Sequence, residues 1–198
     1  MERNADIAIE KAALRARMIN ARRSIPERLR MEMSESIAGH VLELPEIVHA
    51  HHIHLYLTMH SHAEVDTAAI IDGLSRMDKQ LSVPVIMDGR LMSAAFRKGE
   101  PLRFAQFRQP EPEVVSLIDE SQLDVVLIPL LAFDEKGYRL GYGKGFYDFF
   151  LQRLFRQGIN PSRIGLSFSR QMVDVVPADP WDEALDGVVH ENGSMRFV

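Results

Sequence analysis

The sequence predicts an α/β fold, a three-layer α/β/α arrangement in which helices cover both faces of a mostly parallel central sheet. Amphipathic segments alternate with short apolar runs along the 198 residues. The run LDVVLIPLLAF at 123–133 is almost continuously apolar, as in central strands that are covered on both faces. Strand and helix in alternation are typical of parallel sheets. We therefore expect a single domain over residues 1–198, a length that one core can accommodate.

Two helices are predicted at the start of the chain. Between residues 6 and 20, apolar side chains and cations each recur at helical spacing. A second helix is predicted from Ser24 and Pro26 to about Leu44, because a capping residue followed by proline favours a first helical turn. Pro45 is expected to end that helix.

The next two segments predict a strand and a helix. The run HIHLYLTM at 52–59 alternates between polar and apolar residues before it becomes apolar, as a strand entering a sheet does. Ser61 and Glu64 have the spacing of a capping box, which predicts a third helix at about 65–77.

A hairpin and a loop are predicted in the middle of the chain. Two apolar stretches, at 81–87 and 91–96, are joined by the turn-forming pair Asp88 and Gly89. The segment 98–113 contains one glycine and three prolines, and we predict a loop there.

The last third begins with glycines and ends with short strands. Four glycines follow the apolar run at 123–133 and precede a predicted helix at about 146–157. Apolar stretches at 163–168 and 186–190 predict two further strands.

Composition excludes several classes of protein. The net charge of -5 argues against a general nucleic-acid binder, which usually needs an excess of lysine and arginine. The absence of cysteine excludes disulfides and thiolate metal sites. No apolar run reaches the ~20 residues that span a bilayer, and the first residues lack a signal-peptide pattern. We expect a cytoplasmic monomer that acts on small molecules and binds neither nucleic acid nor membrane.

The segment GYRLGYGKGFYD at 137–148 is the clearest functional pattern. Glycines between a strand and a helix let backbone amides approach phosphate oxygens, and the helix N-terminus favours an anion. Arg139 and Lys144 add positive charge, and Asp148 has the carboxylate that Mg²⁺ prefers. A tight surface turn would not require these charged side chains among the glycines. The pattern matches neither GxxxxGK[ST] nor a dinucleotide GxGxxG with its downstream acid.

The stretch PLLAFDEKGYRLGYGKGFYD, at 129–148, resembles the signature of the 5-formyltetrahydrofolate cyclo-ligases, also called methenyltetrahydrofolate synthetases. The resemblance extends from KAALRAR near the start, through YLTMHSHAEVDT and QPEP, to QMVDVVPADPWD. It implies a NagB/RpiA/CoA-transferase-like fold and an enzyme that uses ATP, with Mg²⁺, and 5-formyltetrahydrofolate.

The resemblance assigns ATP to two parts of the chain. Lys11 and Arg15 match a lysine and an arginine that in the family reach ATP phosphates from the first helix. Their spacing of four places both on one helical face, although a solvated basic face is the alternative. The glycine-rich loop implies further ATP contacts from Arg139, Gly141, Gly143, Lys144, Gly145 and Tyr147.

The resemblance also assigns the metal. Asp148 corresponds to one magnesium ligand, and Asp182 in PADPWDEALD is the matching position for a second. Asp179 and Asp186 are competing assignments for the second ligand, and a capping or merely exposed carboxylate is the alternative for Asp182.

Folate is assigned to the turn after YLTM and to aromatic side chains near the loop. The resemblance places substrate at Met59 and Glu64, where an acceptor-only carboxylate suits the pterin amino and ring N–H groups. The alternative for Glu64 is the capping box with Ser61. Tyr142, Phe146 and Phe133 are candidates to flank the flat rings, and each is also compatible with the core.

Three positions depart from the pattern of many family members. Phe146 replaces a tyrosine, Val85 an arginine, and Trp181 a histidine before the distal aspartate. The phenylalanine removes one hydroxyl, worth roughly 1 kcal/mol, which affects affinity more than the reaction. Several histidines cluster between residues 49 and 62, but alternate members face opposite sides of a strand, so we do not expect a metal site from them. They are His49, His51, His52, His54, His60 and His62.

The resemblance implies that the formyl oxygen attacks the γ-phosphate of ATP and that N10 then closes onto the activated carbon. Phosphoryl transfer of this kind depends on positioning and charge neutralisation rather than on a side-chain nucleophile. Two alternatives remain at this stage: a catalytically silent nucleotide- or folate-binding relative, and another sugar-phosphate or CoA enzyme on the same type of sheet.

Overall fold

The fold is described from a computed structural model, which covers residues 2–197 and the side chains of residues 6–197. The helices are α1 (Glu2–Arg23), α2 (Glu27–Leu42), α3 (Pro45–His49), α4 (Ala68–Arg76) and α5 (Phe146–Arg156). The strands of the main sheet are β1 (His52–Leu55), β2 (Gln80–Met87), β3 (Arg90–Phe96), β6 (Val125–Pro129), β9 (Ser162–Leu166), β10 (Gly187–His190) and β11 (Gly193–Arg196). Two small ribbons pair β4 (Leu102–Phe104) with β5 (Pro110–Pro112), and β7 (Ala132–Phe133) with β8 (Arg139–Leu140).

The main sheet is mostly parallel, as predicted. Across residues 2–197 its strand order is β11-β10-β9-β6-β1-β2-β3, with β6 at the centre. The five inner strands are parallel to one another, and β3 and β11 add antiparallel edges. The prediction that 123–133 contains a central strand is therefore confirmed.

Strand β6 contributes to two separate cores through its alternating side chains. Val125 and Leu127 pack with the apolar residues of α2, α3 and α4 on one face of the sheet. Val126 and Ile128 pack with Phe150, Leu151 and Leu154 of α5 on the other. Burying each such aliphatic side chain contributes roughly 1.5–3 kcal/mol to the stability of the fold, so helices must pack on both faces of the sheet. The three-layer α/β/α prediction is confirmed.

Helix α1 lies against neither of these two cores. Its buried Leu14 and Met18 pack on Leu131, Ala132 and Leu140, at the carboxyl end of β6 and on the β7–β8 ribbon. Because side chains four residues apart share one helical face, this contact determines which way the cations of α1 point.

Two boundaries near Pro45 and in 98–113 differ from the predictions. Helix α2 ends at Leu42, and Pro45 begins α3 because its fixed φ suits a first helical turn. The predicted loop contains the β4–β5 ribbon, in which Leu102 pairs with Pro112 and Phe104 with Pro110. Proline is tolerated at such an edge, where its missing N–H breaks no internal ladder.

The segment after β1 is an ordered loop rather than a longer strand with a capping box. The ladder ends at Leu55, because the Thr67 hydroxyl donates to the Tyr56 carbonyl (2.9 Å) and the Thr67 N–H donates to Thr58 Oγ1 (2.8 Å). A 3₁₀ turn spans His60–His62, and α4 begins only at Ala68. The predicted helix start at residue 65 and its Ser61–Glu64 capping box are therefore wrong.

The hairpin prediction is confirmed. Asp88 and Gly89 have φ values of 49° and 73°, the left-handed pair that a two-residue hairpin turn requires, and Met87 pairs with Arg90. Strand β11 (Gly193–Arg196) was not predicted, because its four residues lack an apolar alternation. Among the helices of residues 2–197, none has the length and hydropathy required to cross a membrane.

Gly165 of β9 gives a test of the packing on the α5 face of the sheet. A Cβ at this position would lie 2.7 Å from Leu130, 2.8 Å from Leu185 and 3.0 Å from Val188, all of them buried. We expect Gly165→Ala to lower the free energy of unfolding by about 1–3 kcal/mol, as overpacking does. Gly39→Ala is the matched control, since its Cβ meets nothing within 4 Å in the interior of α2, and we expect a gain of about 0.5–1 kcal/mol. Urea denaturation measures both, and a neutral Gly165→Ala would contradict the packing described.

Candidate active site

The candidate site is a cavity of about 650 Å³ at the carboxyl ends of the parallel strands. Such an edge is where ligands bind in open α/β sheets. The structure places every residue of the predicted site on its walls. They are Lys11, Arg15, Met59, Glu64, Arg139, Gly141, Tyr142, Gly143, Lys144, Gly145, Phe146, Tyr147, Asp148 and Asp182.

The glycine-rich loop is supported by the buried carboxylate of Asp134. This side chain is 1% exposed and accepts hydrogen bonds from the N–H groups of Lys136 (3.0 Å), Tyr138 (3.0 Å) and Val176 (2.9 Å). The three bonds shape the turn between β7 and β8, and they tie it to the segment after β9. The sequence contained Asp134 in its family-like stretch, but no local pattern indicated this role.

The loop itself has the backbone that an anion site needs. Gly143 and Gly145 have φ values of 91° and 68°, which other residues adopt only with strain. Gly145 is the N-cap of the eleven-residue α5, so the first amides of that helix are open to a ligand. A Cβ at Gly143 would lie 3.1 Å from the Arg15 guanidinium, so glycine also allows this close approach.

Lys11 and Arg15 both face the cavity from α1. Lys11 Nζ donates to Asp179 Oδ2 (2.6 Å) and to Asp182 Oδ2 (2.5 Å), and Arg15 Nε donates to the Gly141 carbonyl (3.0 Å). Burial alone would lower the pKa of Lys11, but the hydrogen bonds and charges of the two carboxylates outweigh it and raise the pKa. The lysine therefore carries its full charge.

The predicted metal carboxylates also lie on the cavity wall. Asp148 Oδ1 accepts from Arg139 Nη2 (2.7 Å) and, more weakly, from the Glu183 N–H (3.4 Å). No described residue donates to Asp148 Oδ2 or to Asp182 Oδ1. Asp179 lines the cavity as well.

Asp186 does not belong to this site. It forms a bidentate pair with Arg163 of β9 and lies outside the cavity lining. Between the two competing assignments for the second carboxylate, the structure therefore leaves only Asp179 beside Asp182.

Glu64 is the buried acid of the cavity. The residue is 7% exposed, and its Oε2 accepts the Met59 N–H at 2.8 Å. Burial raises the pKa of Glu64, and the Met59 hydrogen bond, the charge of Arg22 and hydrogen bonding with Tyr142 act in the opposite direction. The carboxylate thus closes the 59–64 loop and still faces the cavity.

Aromatic side chains surround the middle of the cavity. Tyr142, Phe146 and Tyr147 line it, whereas Phe133 is fully buried and belongs to the core beside α5. The interpretation of Phe133 as a ring-flanking residue is therefore wrong. Tyr147 Oη is enclosed and has no hydrogen-bond partner among the described residues.

Three residues at or behind the cavity wall were not predicted from the sequence: Phe107, His62 and Arg22. Phe107 comes from the β4–β5 ribbon. The centroid of its ring lies 5.7 Å from the centroid of the Phe146 ring and 5.6 Å from Lys144 Nζ. His62 lines the cavity and lies 4.8 Å from the Tyr142 ring. A ribbon folded over a site leaves no local pattern in a proline-rich segment, so no signal for Phe107 was available.

The clustered histidines do not converge. His52 and His54 are buried in β1, where burial, followed by the influence of His52, lowers the pKa of His54 to about 3. Within the described side chains, no group of three or more His, Asp or Glu residues is arranged to hold a metal on its own.

The fold and cavity together define an α/β enzyme in which a glycine-rich loop and a buried carboxylate line one cavity. Residues 7–191 match the model of the 5-formyltetrahydrofolate cyclo-ligase family, and the chain belongs to this family.

Relatives and solved structures support the assignment over most of the chain. The Escherichia coli (strain K12) 5-formyltetrahydrofolate cyclo-ligase is 31% identical over 173 residues, covering 85% of this chain and 93% of that protein. The NMR structure of Aquifex aeolicus 5,10-methenyltetrahydrofolate synthetase is similar with a TM-score of 0.80 at 27% identity, covering 94% of this chain and 92% of that one. The structure of a Mycoplasma pneumoniae 5,10-methenyltetrahydrofolate synthetase is similar with a TM-score of 0.72 at 26% identity, covering 91% of this chain and 98% of that one.

Lys11 provides a test of the anion site. We expect Lys11→Met to weaken ATP binding by at least about tenfold, because a charge-assisted hydrogen bond contributes roughly 1.5–3 kcal/mol and tenfold corresponds to about 1.4 kcal/mol. The variant also leaves Asp179 and Asp182 without their cation. Titration can follow Trp181 fluorescence, since this is the only tryptophan in the sequence and it lines the cavity.

The control for this measurement is Arg17→Met. Arg17 is exposed on the same helix and lies outside the cavity lining. We expect its Kd for ATP to equal that of the wild type. Equal losses in the two variants would mean that general charge, and not the position of Lys11, determines nucleotide binding.

Proposed function

We propose that this chain catalyses the ATP-dependent conversion of 5-formyltetrahydrofolate to 5,10-methenyltetrahydrofolate, with release of ADP and phosphate. Membership of the family supports the proposal. The observation that carries it is the meeting of the glycine-rich loop and Glu64 in one cavity. Such a cavity accepts a polyphosphate and a flat polar ring system side by side, which is the arrangement that phosphoryl transfer between them requires.

The nucleotide end of the cavity is formed by α1 and the loop. In our proposal, Lys11 and Arg15 contact the ATP phosphates together with the loop, and the amides at the start of α5 add neutral donors. The loop residues assigned to ATP are Arg139, Gly141, Gly143, Lys144, Gly145 and Tyr147. The exposed Lys144 is free of carboxylate partners among the described residues, so an anion there displaces only its contact with the Phe107 ring.

Magnesium fits the carboxylates of this end. Asp148 and Asp182 both line the cavity, and each has one oxygen without a hydrogen-bond donor from the described residues. Mg²⁺ is typically held by one or two carboxylates together with substrate phosphates and water, so a larger protein cluster is not needed. An ion held by Asp148 and Asp182 would supply positive charge to the transferred phosphoryl group.

The folate end is formed by the 59–64 loop and the aromatic residues. Glu64 presents a buried acceptor to the amino and ring N–H groups of the pterin, and Met59 lies at the same turn. Tyr142 and Phe146 of the glycine-rich loop line the same cavity, where they can contact the flat rings.

The proposed reaction has two steps. The formyl oxygen attacks the γ-phosphorus, forming an O–P bond as the bond to the β-phosphate oxygen breaks and ADP leaves. The N10 electron pair then adds to the formyl carbon, the C–O bond breaks with phosphate as the leaving group, and the N10 proton is lost. The protein supplies cations at the developing phosphate charge and holds the two substrates in line.

The direct test is an activity assay. The chain is incubated with 5-formyltetrahydrofolate and Mg·ATP, and the absorbance of the methenyl product is followed. We expect product that depends on both substrates, with ADP and phosphate formed in equal amounts. A chain that yields no ATP-dependent product at micromolar enzyme would be a silent relative, and the proposed function would be wrong.

The loop residues differ in their expected contributions. We expect Lys144→Ala to impair ATP use strongly, because it removes a full charge from the loop. Phe146→Tyr should leave turnover within about tenfold, since one added hydroxyl is worth roughly 1 kcal/mol and tenfold corresponds to about 1.4 kcal/mol. Steady-state kcat and KM for ATP measure both variants, and equal losses would contradict this division of the loop.

A further inference from the structure

Arg22 is a buried cation behind the cavity wall. It lies next to the last residue of α1, is 2% exposed, and is absent from the cavity lining. A buried charge is costly unless its donors are satisfied. The two terminal nitrogens of the guanidinium donate to neutral oxygens, two of which belong to residues that line the cavity, whereas Nε is buried without a partner among the described residues.

Three hydrogen bonds connect Arg22 to three separate segments of the chain. Nη1 donates to the Leu130 carbonyl at 3.1 Å, just after β6. Nη2 donates to the His62 carbonyl at 2.6 Å, two residues before Glu64, and to the Tyr142 hydroxyl within the glycine-rich loop. The guanidinium carbon also lies 5.5 Å from the centroid of the Tyr142 ring. One planar guanidinium thus connects the 59–64 loop to the glycine-rich loop. Its several N–H donors point in different directions, which the single ammonium of a lysine cannot reproduce.

The contacts also order the hydroxyl of Tyr142. Because this oxygen accepts from Arg22, its own proton can point to Glu64, and the hydroxyl lowers the pKa of that carboxyl group. Arg22 therefore acts on Glu64 twice, through its charge and through Tyr142. The other groups that face Glu64 are the Met59 N–H, His60, Tyr56 and Tyr147.

We propose that Arg22 is a positioning residue that holds the Glu64 loop and the glycine-rich loop in one relative arrangement, so that the two substrates meet in line. The inference rests on the proposed function in that the ligand beside Glu64 is taken to be the folate. It predicts that loss of Arg22 affects folate binding and its pH dependence, although Arg22 touches neither substrate.

The experiment compares Arg22→Met and Arg22→Lys with the wild type. The Kd for 5-formyltetrahydrofolate is measured by calorimetry without ATP between pH 5 and pH 9, and thermal unfolding reports on the fold. For Arg22→Met we expect folate binding at least about tenfold weaker, the loss of a contact worth about 1.4 kcal/mol. Because the charge of Arg22 lowers the pKa of Glu64, its removal raises that pKa, and the loss of affinity with falling pH begins at a higher pH.

Arg22→Lys separates charge from geometry. It keeps the positive charge but cannot make the three divergent contacts, so the pH dependence is expected to remain close to that of the wild type while affinity falls. This combination supports positioning. If Arg22→Met does not fold, Arg22→Lys alone tests the proposal. An Arg22→Lys variant with the folate affinity, kcat and KM of the wild type would overturn it.

The neighbouring exposed Arg23 provides the control. Arg23→Met is expected to leave the affinity and its pH dependence unchanged. A folded Arg22→Met variant with wild-type affinity and pH dependence would overturn the inference. Because binding is measured without ATP, a wild type that binds folate but forms no product would contradict the proposed function and leave the Arg22 inference standing.

Discussion

The parallel arrangement of β1, β2, β6 and β9 is the constraint from which the active site follows. Parallel strands deliver their carboxyl ends to one edge of the sheet, so the segments after them must meet there. The 59–64 loop follows β1 and the glycine-rich segment follows β6. Neither segment closes a cavity by itself. Their meeting, covered by α1, produces one cavity that is lined by the glycine-rich loop and by the buried carboxylate of Glu64.

Several charges within the cavity are already paired with one another. Lys11 bridges Asp179 and Asp182, and Arg139 pairs with Asp148. Each pair contains groups of the kind that phosphates or a magnesium ion also bind, so in the proposed function a ligand would replace one partner of a pair without leaving a bare charge. Low exposure strengthens such interactions and makes an unpaired group costly, which explains why the free chain satisfies them internally.

The sequence predicted the overall architecture more accurately than the residues at which helices and strands begin and end. The apolar run at 123–133 could only be covered on both faces, and the Asp88-Gly89 pair could only make a tight turn, so both predictions were confirmed. The capping box at Ser61 and Glu64 was wrong because long-range bonds of Thr67 organise that loop. Local spacing cannot reveal that the Glu64 carboxylate accepts the Met59 N–H and lines the cavity instead of capping a helix.

What the sequence determined by itself is what depends on near neighbours. The glycines and charges at 137–148 and the four-residue spacing of Lys11 and Arg15 define an anion site, because backbone freedom and helical periodicity are local properties. The tertiary structure decided which distant groups join them. Phe107 lies on the cavity wall and Arg22 behind it, because a ribbon and a helix end are packed there against segments that are distant in the sequence. That placement depends on the whole sheet, so it leaves no pattern in any one segment.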